Sequence, residues 1–97
     1  MEYTFEWDPR KAHSNALKHG VTFEEATQVF EDPMALTIFD RESSHKNEDR
    51  WITLGKAQGR NYLVVIDTYR DTLENTVTIP VISARPATKH EIQQYEG

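Results

Sequence analysis

Residues 51–69 read WITLGKAQGRNYLVVIDTY, and this stretch decides the fold. Two runs rich in β-branched and aromatic residues, Trp51–Leu54 and Tyr62–Tyr69, flank the glycine-containing connection Gly55–Arg60. That is a hairpin-like pattern, and a short link between strands implies antiparallel pairing. Working outward, Leu36–Phe39 reads as a short strand before the hairpin and Val77–Ala84 as a strand after it. Pro80 has no N–H for a ladder bond, so the last strand lies at an edge or is bulged there. Near the start, Tyr3, Phe5 and Trp7 alternate with Thr4 and Glu6, the period of a half-buried strand.

Helices fill the gaps. Asp8-Pro9 opens one, with Asp8 as cap and Pro9 where a missing N–H costs nothing, and Gly20 stops it. Thr22 and Glu25 have capping-box spacing for a second helix over Val21–Phe30, whose Phe23, Ala26 and Phe30 share a face. Asp32-Pro33 ends it. Thr88 and Glu91 repeat the capping box and open a last helix, with Ile92 and Tyr95 inward. The order β-α-α-β-β-β-β-α predicts an α+β fold: an antiparallel sheet with helices packed on one face. The polar segment Asp40–Arg50 reads as a long, functional loop.

At 97 residues the chain fits a single domain, residues 1–97. The absence of cysteine removes disulfides, thiolate metal sites and cysteine nucleophiles. No run suits a membrane span, and the acidic, aromatic start is unlike a secretory signal, so a cytoplasmic protein is expected. The net charge of −5 opposes a broad positive field for nucleic acid, but permits a local basic cleft or a basic partner.

Phosphate loops, nucleophile elbows and HExxH pairs are absent, and His13, His19, His45 and His90 lack metal-ligand spacing. The remaining chemistry lies in cations at element ends. Lys18 and His19 close the first helix, where the dipole alone favours cations by ~0.3–1 kcal/mol. Lys11, Asn15 and Lys18 share a helical face, which by itself suits a solvated stripe. Arg50 shares a strand face with Ile52 and Leu54, either paired with Glu48 or holding phosphate. Arg85 ends the last strand just before a helix N-terminus. The dipole disfavours a cation there, which points to an anion site. In a simple meander Arg50 and Arg85 stand at opposite ends of the sheet, with Lys56 and Arg60 nearer Arg85; only a long substrate such as a polynucleotide reaches both.

These residues resemble the BrnT family of toxins. The resemblance rests on Phe5-Glu6-Trp7-Asp8 with Lys11-Ala12, Asn15 to Val21, Phe23 to Ala26, Val29 to Pro33, Glu48-Asp49-Arg50, Gly55, Ile82 to Arg85, Ala87-Thr88, Glu91 and Tyr95. It spans nearly the whole chain, and Lys18 to Val21 and Ile82 to Arg85 are its most specific segments. The resemblance implies a RelE-like fold, an endoribonuclease that stops translation, and a cognate BrnA-like antitoxin. DNA is then reached only indirectly, through the antitoxin. Pro80 and Pro86 stand where family members commonly carry basic residues, so the cleft here is expected to be less basic.

The resemblance makes His19, Glu48, Arg50 and Arg85 the candidate catalytic residues, without metal or other cofactor. Histidine is the side chain whose unperturbed pKa lies near neutrality, so His19 leads for proton transfer, with Glu48 second. Arg50 and Arg85 hold phosphate oxygens. Lys18, Lys56, Arg60 and Tyr95 are candidate RNA contacts, Tyr95 by stacking on a base or else as a core residue. The competing reading is a catalytically weak or inactive module that binds a DNA-binding antitoxin, with the cations as ordinary ion-pair members.

Overall fold

A computed structural model describes residues 2–42, 44, 48–58, 61–68 and 71–97, with the backbone alone at 71. Its elements are β1 (Glu2–Glu6), α1 (Pro9–His19), α2 (Phe23–Thr27), a 3₁₀ turn (Gln28–Glu31), β2 (Leu36–Phe39), β3 (Trp51–Ala57), β4 (Asn61–Asp67), β5 (Asp71–Leu73), β6 (Thr76–Pro86) and α3 (Lys89–Glu96). The α+β class stands. The sheet order is β1-β6-β4-β3-β2, with β5 also on β6.

The hairpin forms, from Trp51↔Asp67 to Ala57↔Asn61. Gly55 lies inside β3 rather than in the turn. A Cβ there would come within 2.9 Å of Val29 Cγ1 and 3.2 Å of Ala35 Cβ, so glycine lets the 3₁₀ turn pack directly on the strand. The expected order lacks one strand, β5. It pairs Asp71↔Thr78 to Leu73↔Thr76 across a tight turn in which Glu74 takes the left-handed φ of 55°. Asp71–Glu74 is too polar to carry the apolar alternation that marks a strand.

Two expectations about the sheet need correction. It is not wholly antiparallel, because β1 pairs parallel with β6, from Glu2↔Thr76 to Glu6↔Pro80. The chain leaves β1 directly into α1, and α1 continues beside β6 in the same direction, which a helical crossover permits. Nor do the helices share one face. α1, α2 and the 3₁₀ turn cover the side bearing Leu63, Val65, Val81 and Ala84, where Val21, Phe23, Ala26 and Val29 complete the core. Arg85 is directly opposite Val64, and Val64 opposite Leu54, so these project from the other side. There Arg85 holds Glu91 of α3. Tyr95 packs edge to face on Tyr62 on the same side.

Pro80 falls between the β5 ladder, which ends at Thr78, and the β4 ladder, which begins at Val81. The register shift beside it leaves Ile82 as the extra residue between Val81 and Ser83. After β1 ends, the free margin of β6 is closed by one buried side chain. Asn15 donates to Ala84 O at 2.8 Å and Val21 O at 3.0 Å, and accepts from Ala84 N at 3.1 Å. It replaces a strand partner. The capping rules place α1 where it can: Asp8 accepts from Arg10 N, Pro9 is the first helical residue, and Gly20 takes φ 70°. Thr22 caps α2, but Glu25 does not reach back, because its carboxylate accepts from Asn61 Nδ2 at 2.9 Å. The α-helix also ends at Thr27, the 3₁₀ turn carrying the chain to Pro33.

Candidate active site

α1 and the free margin of β6 enclose a groove. Its middle is a cavity of about 390 Å³ lined by Lys11, Ser14, Lys18, His19, Ile82 and Ser83. Lys11 and Ile82 also line the adjoining cavity, of about 320 Å³, which contains Glu48, Trp7 and Asp8. His19 also lines the next one, of about 410 Å³, with Tyr62, Pro86, Ala87 and Ile92. The groove therefore runs the length of α1, with cations from its exposed face along one wall. Lys11 is a groove residue that sequence reading leaves among solvated charges. Its signal is the four-residue spacing from Asn15, which is buried against β6 and fixes that face of α1 toward the strand.

The four candidate catalytic residues do not meet at one point. Glu48 and Lys11 sit at the start of α1, and His19 at its end, eight residues or about 12 Å away at 1.5 Å per residue. Arg50 lies 3.7 Å from Glu48. This ion pair is long and half-exposed, and Arg50 Nε is buried without a hydrogen-bond partner among the described residues. Leu54, Val64 and Arg85 form one row across the sheet, and Arg50 is four residues before Leu54. The two arginines are thus about 16 Å apart, from ~3.4 Å per strand residue and ~4.8 Å per strand.

Arg85 has an anion already. Its Nη1 and Nη2 donate to Oε1 and Oε2 of Glu91, each at 2.8 Å, and Nη1 also lies 3.3 Å from Pro86 O. Glu91 Oε1 accepts from Thr88 N as well, at 2.8 Å, completing the capping box. The hydrogen bond from Arg85 is the main cause that holds the Glu91 carboxyl down at about 2, and Glu91 in turn raises the Arg85 guanidinium. Arg85 and the helix N-terminus do form an anion site, and Glu91 fills it. The fork is end-on. It leaves the Nε–H and the second Nη2–H of Arg85, a second bidentate edge, without a partner among the described residues.

Lys56 and Tyr95 belong to the Arg85 end. Lys56 Nζ stands 5.0 Å from the centre of the Tyr62 ring, and Tyr62 meets Tyr95 edge to face at 5.5 Å. Tyr95 donates to Asp32 Oδ2 at 2.6 Å, which also accepts from Lys56 N at 2.8 Å. Burial raises the Asp32 carboxyl. The hydrogen bonds from Tyr95, Lys56 N and Met34 N outweigh it, and the net shift is downward. The same bond to Asp32 pushes the Tyr95 phenol up to about 12. Tyr95 therefore ties α3 to the margin of β3, and its edge-to-face packing on Tyr62 takes up part of its ring. Arg60 and His45 lie outside the described residues. Among the described residues no three His, Asp or Glu side chains gather at metal-binding distance, and no helix is long and apolar enough to cross a membrane.

The family model described as "Ribonuclease toxin, BrnT, of type II toxin-antitoxin system" matches residues 7–91. The span ends at Glu91 and takes in the groove residues named above except Ile92. The 1.1 Å crystal structure of the Brucella abortus ribonuclease toxin BrnT superposes with a TM-score of 0.60 at 21% identity, over 92% of this chain and 100% of that one. At that identity the likeness is one of fold. No curated protein matches the sequence.

Proposed function

The chain belongs to the BrnT family of ribonuclease toxins of type II toxin–antitoxin systems, and from that membership we propose that it cleaves RNA internally without a metal ion. A ribose 2′-OH attacks the adjacent phosphorus, the 5′-oxygen leaves, and the products end in a 2′,3′-cyclic phosphate and a 5′-OH. The observation that carries this reading is the continuous groove along α1, which presents Lys11, Lys18 and His19 to one extended chain. His19, at the groove's end beside Pro86, takes the 2′-OH proton. Lys18, in the groove with His19, offsets the charge that develops on the non-bridging oxygens, while the unused edge of Arg85, on the other side of the sheet, holds a different phosphate. Glu48 and Arg50 are about 12 Å away along α1 and cannot serve the same phosphate. They hold the backbone further along, with Arg50 on phosphate and Glu48 orienting it. Inhibition of translation follows from loss of the RNA, and a BrnA-like antitoxin neutralises the toxin.

One observation favours a second reading. The Glu91 fork neutralises Arg85, as it would in a weakly catalytic module kept for binding its antitoxin. Incubation of the purified chain with end-labelled single-stranded RNA in EDTA separates the two. The ribonuclease reading expects cyclic-phosphate ends, and a fall of about 10²–10³ in rate for Arg85→Ala and for His19→Ala. A well-folded chain that leaves the RNA intact selects the second reading.

A further inference from the structure

Strand β2 ends the sheet, and among the described residues no strand pairs with its outer side. Its four residues, Leu36–Phe39, are all exposed, with Leu36 at 45% and Ile38 at 61%. They include no charge and no proline, the usual guards of a free edge. Leu36 and Ile38 also form one wall of a cavity of about 310 Å³. Leu54 and Val64 lie on its floor, and Arg85 and Glu91 of the candidate active site close its far end. Acidic residues flank the edge: residues 31–42 hold Glu31, Asp32, Asp40 and Glu42 against Arg41 alone.

We infer that this edge is where the protein antitoxin docks. A short extended segment of the antitoxin adds a strand to β2, apolar at alternate positions and basic at its ends. The main chain supplies hydrogen bonds to the unpaired side of Leu36–Phe39. One alternate side chain enters the cavity beside Ile38, and the basic ends meet the acidic flanks. A side chain in that cavity lies against Arg85, so one segment both binds the toxin and covers that arginine. The inference rests on membership of a type II toxin–antitoxin family and deepens it.

The test uses the whole chain and the protein encoded beside it in its operon. Ile38→Lys places a charge on the docking edge, and Leu73→Lys places one at an equally exposed site on β5. By titration calorimetry, Ile38→Lys is expected to weaken the complex about 30-fold or more and Leu73→Lys less than twofold. In the parent complex, amide exchange at residues 36–39 slows. Free Ile38→Lys keeps the circular dichroism and the RNA cleavage rate of the parent. Binding of Ile38→Lys within twofold of the parent overturns the inference, as does unchanged exchange at 36–39. A free parent that is a dimer and becomes monomeric with Ile38→Lys also overturns it, by giving the edge to a second copy. Loss of the complex without any RNA cleavage by the parent supports the docking edge and removes the catalytic reading instead.

Discussion

Glu91 serves three groups at once: the Arg85 guanidinium, the backbone N–H of Thr88, and through its own N–H the Thr88 hydroxyl. Its carboxyl sits at about 2 instead of the ordinary 4.5. A depressed carboxyl stabilises the fold fully above its unfolded value, and that contribution disappears as pH falls through the folded one. The parent is therefore expected to lose stability between pH 4.5 and pH 2. Glu91→Gln flattens that part of the curve and costs about 1 kcal/mol at pH 7, a charge-assisted bond discounted for its partial exposure. Urea unfolding across that range checks both. Tyr95 moves the other way. Its phenol is pushed up to about 12, above the ordinary 10, and ultraviolet difference spectra of Tyr95→Phe should lack the phenolate that forms there.

At the scale of elements, α1 stands in for the strand that β6 lacks. A single amide, Asn15, carries the substitution through three hydrogen bonds. Asn15→Leu leaves Ala84 N, Ala84 O and Val21 O unsatisfied in the core, at ~1–3 kcal/mol for each group. A loss of at least about 3 kcal/mol in chemical denaturation is expected, which is large for a chain of this size. The groove depends on the same contact, so loss of α1 docking removes cleavage together with stability. Gly55→Ala probes the same face of the sheet, toward its β2 edge. A methyl 2.9 Å from Val29 Cγ1 forces the 3₁₀ turn off β3, and a cost of about 1–3 kcal/mol is expected for overpacking. Calorimetric unfolding reads it directly.

The whole molecule carries −5 while its groove presents Arg10, Lys11 and Lys18. If RNA occupies the groove, as proposed, it feels attraction only at short range and releases few counterions on binding. With about three phosphate contacts, the slope of log affinity against log salt for single-stranded RNA should be about −2. Filter binding to the His19→Ala variant, from low to moderate salt, measures it. A slope several times steeper would mean that further basic residues, such as Arg60, also reach the RNA.

Local rules in the sequence determined the elements: the caps at Asp8, Thr22 and Thr88, the stop at Gly20, and the β3–β4 hairpin are short-range chemistry among neighbours. The order of residues along α1 and β6 also fixed which cations lie near element ends. Tertiary structure alone decided the rest. The parallel seat of β1 joins residues more than seventy positions apart, and no local pattern encodes such a pairing. The side taken by α3 rests on side-chain contacts made on packing, Arg85 with Glu91, Tyr62 with Tyr95 and Tyr95 with Asp32. The separation of His19 from Glu48 follows from the direction in which α1 lies on β6, set by the amide of Asn15 reaching Ala84 across the fold. A residue's type and spacing state what it can bond; only packing decides which partner is within 3 Å.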